Sequence, residues 1–161
     1  VMKAQGIQAS QLFSTPTPFN SLLWRVIVIE DDHYHESLVS WFDERPPELV
    51  SIPRGERLAT ALSESPQHAR LHWFTGGVLR YDEVGDQLLV TDLRLGMTGF
   101  HPFRFALAER NGADWGLIPF VERLPAERGD LDRLEQIWRR IWQQQPGLPL
   151  AEWAADLNHP G

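Results

Sequence analysis

Apolar residues follow two rhythms along this chain. Over 22–29 they run almost unbroken, Leu-Leu-Trp-Arg-Val-Ile-Val-Ile, the pattern of a strand covered on both faces. The charged turn Glu30-Asp31-Asp32-His33 leads into a return strand over 34–42. A connection carrying Pro46, Pro47 and Pro53 follows, and Leu58, Ala61 and Leu62 then fall at helical spacing within 54–62. Ser65-Pro66 is a helix start, Ser as N-cap and Pro at the first helical position, opening a short helix over 67–72. A second hairpin follows. Its first strand is 73–81, interrupted by Gly76-Gly77 in the manner of a bulge; its turn is 82–86 and its return strand 87–95. Gly96–Gly99 turns the chain into a fifth strand over 103–110, and 111–129 reads as loop. Asp130 caps the clearest helix, 131–145, where Leu131, Leu134, Trp138 and Ile141 form one stripe, and a shorter helix covers 150–157.

Short hairpins imply antiparallel pairing, and helices grouped between hairpins imply α+β. The expected fold is a curved antiparallel sheet of about five strands, two hairpins plus a fifth strand, with the C-terminal helix packed on one face. The 161 residues suit one domain, 21–161, with a lead-in over 1–20. Composition sharpens this only by exclusion. With 42% apolar residues and seven tryptophans the chain can build a core. A net charge of −7 repels phosphate backbones, so nucleic acid is not an expected partner. There is no cysteine, hence no disulfide, thiolate metal site or cysteine nucleophile. No run of 18 apolar residues occurs to span a bilayer.

Candidate chemistry lies where charge interrupts an apolar row. Arg25 does so in the first strand, Asp92 and Arg94 in the fourth, Arg104 in the fifth. A buried lone guanidinium is costly, so each arginine needs a carboxylate or a bound anion. Strand alternation sets Asp92, Arg94 and Arg104 on one face of the sheet, and Arg25 joins them if its strand is adjacent. One reading is a site for a carboxylate or phosphate held by arginine forks, with Asn20 and Tyr34 near the end of the first hairpin as further contacts. The other is an internal Arg–Asp network that stiffens the sheet. His33-x-His35 and His68-x-x-x-His72 read as surface histidines; HEXXH is absent, no third ligand is indicated by spacing, and no metal is expected in this chain. Ser40 lacks a GxSxG elbow, and no phosphate-binding glycine loop is present.

The run Thr15-Pro16-Thr17-Pro18-Phe19-Asn20-Ser21-Leu22-Leu23-Trp24-Arg25 resembles the "TPTPFNxLLWR" start of a C-terminal domain in bacterial membrane-bound metal-dependent hydrolases of the YdjM/YbcI type. The Tyr34, Ser40 and Asp43 spacing, Trp73-Phe74-Thr75, Thr91-Asp92-Leu93-Arg94 and Phe103-Arg104-Phe105 resemble the same domain, so the likeness covers roughly 10–110. The resemblance implies a water-soluble tail of an inner-membrane protein, preceded by membrane helices that carry that family's histidine and aspartate motifs. Any divalent metal would belong to that part, and no ligand transfers to this chain. A start at Val1-Met2-Lys3 fits an excised fragment. The leading expectation is an accessory domain that takes a small anionic ligand or docks on its own membrane portion. Two alternatives stand beside it: an independent hydrolase with Asp92 or Asp43 as general base and Arg94 and Arg104 holding an anionic substrate, and a scaffold for protein association through exposed aromatics such as Trp115 and Trp153.

Overall fold

The structure, a computed structural model, describes residues 9–17, 20–124 and 131–156. The cap expected at Asp130 and, of the 1–20 lead-in, residues 1–8 and Pro18-Phe19 of the "TPTPFN" run lie outside the described residues. Two four-stranded antiparallel meanders replace the single five-stranded sheet expected from the sequence. The first contains β1 (Gln11–Pro16), β2 (Leu23–Glu30), β3 (His33–Ser40) and β4 (Val50–Pro53). The second contains β5 (Leu79–Val84), β6 (Gln87–Asp92), β7 (Arg104–Asn111) and β8 (Asp114–Arg123). A 3-10 helix (Glu56–Leu62) and α1 (Pro66–Thr75) connect the sheets, and α2 (Leu131–Trp142) and α3 (Leu150–Asp156) follow the second.

Local chemistry explains each correction. α1 keeps its start, Ser65 Oγ accepting from the His68 N–H at 3.2 Å, but runs on through Trp73, Phe74 and Thr75. Gly76, at φ 64, then caps it by donating to the His72 and Trp73 carbonyls. The Gly-Gly pair is therefore a helix C-cap, not a strand bulge. The stretch expected as loop after residue 110 is a hairpin turning at Gly112 (φ 64) into β8. Pro119 is tolerated there because the ladder slips between Ala106 and Ala108, and β8 is an edge strand.

The two sheets meet along edge strands β4 and β5, and Arg54 fastens the corner. Its N–H donates to the Asp32 carbonyl and its own carbonyl accepts from the Tyr81 N–H, each at 2.7 Å. Its guanidinium reaches the Leu79, Asp31 and Gly77 carbonyls and the Glu56 carboxylate. Gly55 follows at φ 66, and a Cβ there would run into the Tyr81 carbonyl, so the corner requires glycine.

Three apolar clusters flank this corner. Leu23, Leu38 and Met97 pack with Ile137, Ile141, Leu150 and Trp153, which seats α2 and α3 on the first sheet. Ile27, Ile29 and Tyr34 meet Val78, Leu93 and Ala154 between the sheets. Leu79, Tyr81, Leu88, Val90 and Leu107 bury the outer face of the second sheet under Leu62 and α1. No helix among the described residues is long and apolar enough to cross a membrane.

Candidate functional site

The arginines singled out by sequence do not share one layer. Arg25 lies on β2 of the first sheet, whereas Asp92 and Arg104 lie on β6 and β7 of the second and Arg94 in the loop after β6. Within the second sheet Thr91 faces Arg104, so Arg104 belongs to the face of Thr91 and not to that of its neighbour Asp92.

Arg25 is fully buried and closes an internal chain of polar contacts. In the β2–β3 register Arg25 faces Leu38 and Ile27 faces Glu36, so Arg25 and Glu36 are diagonal neighbours on one face. Arg25 Nη2 donates to Glu36 Oε2 at 2.8 Å, and Nη1 donates to the Leu93 carbonyl and, at 3.3 Å, to that of Gly96. The Thr98 hydroxyl donates to Glu36 Oε2 at 2.6 Å, and the Tyr34 hydroxyl in turn donates to Thr98 at 2.9 Å. Burial alone would push the Glu36 carboxyl up, but Arg25 and the Thr98 bonds outweigh it and hold the group below its usual range. Burial, reinforced by Glu36, raises the Tyr34 phenol. His101, buried beside this group, donates from Nδ1 to the Leu95 carbonyl at 3.1 Å. Desolvation, with Arg25 nearby, pushes its imidazole down to about 3.

Asn20 organises the start of β2. Its Oδ1 accepts from the Leu22 and Leu23 N–H groups and its Nδ2 donates to Thr17 Oγ1 at 2.7 Å. Asp92 is gripped by Arg94, Nε to Oδ1 at 3.1 Å and Nη2 to Oδ2 at 2.9 Å, while Arg94 Nη1 reaches the Phe74 carbonyl at 2.9 Å. Asp43 is held by both terminal nitrogens of Arg140, at 2.6 and 2.7 Å, and also accepts from the Ser40 N–H. Both carboxylates considered as general bases are thus occupied by arginine forks. The histidines are separately engaged: His35 with Glu30 at 2.9 Å, and His68 with the Tyr81 hydroxyl at 2.9 Å. No group of three or more His, Asp or Glu placed to hold a metal ion occurs among the described residues.

The feature the sequence reading missed is an apolar groove. The C-terminal part of α1 stands against the β7–β8 hairpin, leaving a groove of about 420 Å³ walled by Leu71, Trp73, Phe74, Phe105, Leu107 and Val121. Trp73 is 80% exposed, Phe74 is largely exposed, and Phe120 on β8 is exposed as well. The Arg94 guanidinium lies 4.7 Å from the centre of the Phe74 ring. This chain matches no known protein family, no curated protein and no solved structure. A second exposed aromatic group includes Trp138 and Trp142, one helical turn apart on α2, with Phe42 4.8 Å from Trp142. By contrast, Trp153 is buried against Phe100, and Trp115 is half-buried under Arg110, so these two are not the exposed aromatics expected of them. A helical reading of 66–75 would have found the groove, because it sets Trp73 and Phe74 on a helix surface instead of alternating them across a sheet.

Proposed function

We propose that this domain is a non-catalytic accessory module of a membrane protein of the YdjM/YbcI type. In this reading it docks on the membrane portion of its own chain through the groove between α1 and the β7–β8 hairpin. One observation carries the reading: Trp73 and Phe74 stand exposed at the wall of an almost wholly apolar groove. Soluble domains seldom leave large aromatics exposed side by side without a partner for them. The arginine forks on Asp43 and Asp92 support a non-catalytic role, since neither carboxylate is poised to receive a proton. The small anionic ligand also expected from the sequence has less to hold it, because Arg25 and Arg94 already grip carboxylates.

The test places a photo-crosslinking phenylalanine analogue at position 73 of the membrane-embedded full-length protein. The expected product joins the domain to the membrane helices of the same chain, and combining Phe74→Ala with the probe weakens it. Crosslinks that map only to other proteins or to lipid, with the domain folded, overturn the reading.

A further inference from the structure

Away from the groove, on the first sheet, the end of α2 and the turn after β3 build one aromatic face. The Asp43 N–H donates to the Ser40 carbonyl at 3.2 Å, which makes Trp41 and Phe42 the two central residues of a tight turn. The Phe42 ring lies 4.8 Å from that of Trp142, and Trp138 stands one helical turn before Trp142. The frame beneath these rings is bonded across both segments. Ser40 Oγ donates to the Ile141 carbonyl, and both terminal nitrogens of Arg140 hold Asp43. Arg45 and Gln144 exchange a reciprocal pair of bonds, at 3.0 and 2.7 Å. Ile137 and Ile141 seat the other side of α2 in the core. The four aromatics on this frame are nonetheless 50–76% exposed, which at roughly 200 Å² per residue leaves about 500 Å² of apolar surface in water.

We propose that this face joins two copies of the chain in a two-fold dimer. The area fits. A stable interface buries about 800 Å² per partner, of which somewhat more than half, about 450 Å², is non-polar. The four aromatics supply that amount by themselves. The chemistry is also self-complementary, as a two-fold contact requires. Flat rings stack on copies of themselves, offset or edge to face. Glu135 and Arg139, an exposed ion pair at 2.8 Å, flank Trp138 on α2 with both signs of charge. A second copy therefore meets no net charge beside the rings, although each chain carries −7. Because the frame is already bonded, little freedom is lost when the rings are covered. The site is independent of the docking groove, which α1 and the β7–β8 hairpin wall, and of the reading built on it.

The test is sedimentation of the 161-residue chain over a concentration series. The expected mass is twice that of one chain, with a dissociation constant of about 10 µM or tighter. Trp142→Arg and, separately, Trp138→Lys change both sides of a two-fold contact at once. Each is expected to weaken the dimer by about 100-fold or more with an unchanged far-UV spectrum. Trp138→Lys leaves the Phe42–Trp142 contact in place and keeps the test open should Trp142→Arg fail to fold. Trp73→Arg, at the wall of the groove, is expected to leave the dimer intact. A chain that stays monomeric at about 200 µM overturns the proposal. So does a dimer that survives both folded α2 variants, or one that Trp73→Arg abolishes, which would assign self-association to the groove.

Discussion

Arg25–Glu36 and Arg94–Asp92 are both arginine–carboxylate pairs drawn from rows of apolar residues, and in sequence they look alike. In the folded chain the first has no exposed side-chain surface on either partner, while Arg94 keeps 22% of its side chain in solvent. Glu36 spends both oxygens, one on Arg25 and the Thr98 hydroxyl and the other on the Thr98 N–H. Arg94 reaches outward to α1, touching the Phe74 carbonyl and ring. What separates the two is which strand neighbours enclose them. The β2–β3 face is roofed by the 93–101 loop, whereas Arg94 is itself part of that loop's outer side. Arg80–Asp82 is buried like the first pair but incompletely bonded, with Asp82 Oδ2 and Arg80 Nη1 left without a hydrogen-bond partner among the described residues.

The largest expected effect breaks the sealed pair. Glu36→Gln leaves the Arg25 guanidinium buried without a counter-charge, which costs about 3–5 kcal/mol. Urea denaturation of the variant should show that loss as a lower midpoint with little change in slope. The sharper experiment replaces both partners, Arg25→Met with Glu36→Leu. Removing both charges removes the desolvation cost of each, so the double variant should regain most of what the single one lost. A double variant as unstable as Glu36→Gln would mean that the bonds to Thr98, Leu93 and Gly96 stabilise the seam more than the ion pair does.

His101 probes the same region through pH. Its imidazole takes a proton near pH 6.5 when the chain is unfolded and only near 3 when folded. Between those values the unfolded state binds the proton that the folded state refuses, so stability falls as pH falls, at up to about 1.4 kcal/mol per pH unit. Glu36 acts in the same direction but lower. Its folded pKa lies below the ordinary 4.5, so the stability it adds is present above that value and lost as pH drops beneath it. His68, depressed by partial burial and by His72, adds to the loss in the histidine window. His101→Asn retains a donor for the Leu95 carbonyl and has nothing to titrate. Its thermal midpoint should therefore fall less than that of the parent between pH 6.5 and 5, and equal slopes in that window would place His101 in water.

How much of this could be read from the chain depends on which signal each element carries. β2 and β6 are rich in Val, Ile and Leu and announce themselves, β3 and β7 are marked by the turns that precede them, and α2 has its apolar stripe. β1 and β4 are short edge strands with mixed polarity, and Pro16 and Pro53 close them, so composition argues against strand where an edge position permits it. The Asn111-Gly112 pair is a hairpin signal overridden in the sequence reading by Gly116 and Pro119, both of which β8 accommodates as an edge strand. The need of Arg25 for a carboxylate was legible, but the identity of that carboxylate was not. It follows only once the two-residue turn at Asp31-Asp32 fixes the register that sets Glu36 diagonal to Arg25. Arg80 and Asp82 obey the same alternation as the residues that were singled out. A single strand drawn over 73–81 hides them, because it misplaces the start of β5.

The smallest expected effect lies at the outer pair, and it carries the comparison's most direct risk. Arg94→Ala removes a fork from Asp92, which is itself 4% exposed. If burial of the carboxylate were the deciding quantity, the loss should rival that of Glu36→Gln. However, the Arg94 side chain is what stands between Asp92 and solvent, and its removal admits water to the oxygens it vacates, while the Arg94 N–H still donates to Oδ1. The expected cost is therefore about 1 kcal/mol or less, in the range of exposed pairs, and it should shrink further in high salt. A salt-independent loss of several kcal/mol would show that Arg94 serves chiefly as a tether. It would then be holding the end of α1 through the Phe74 carbonyl, and with it one wall of the groove.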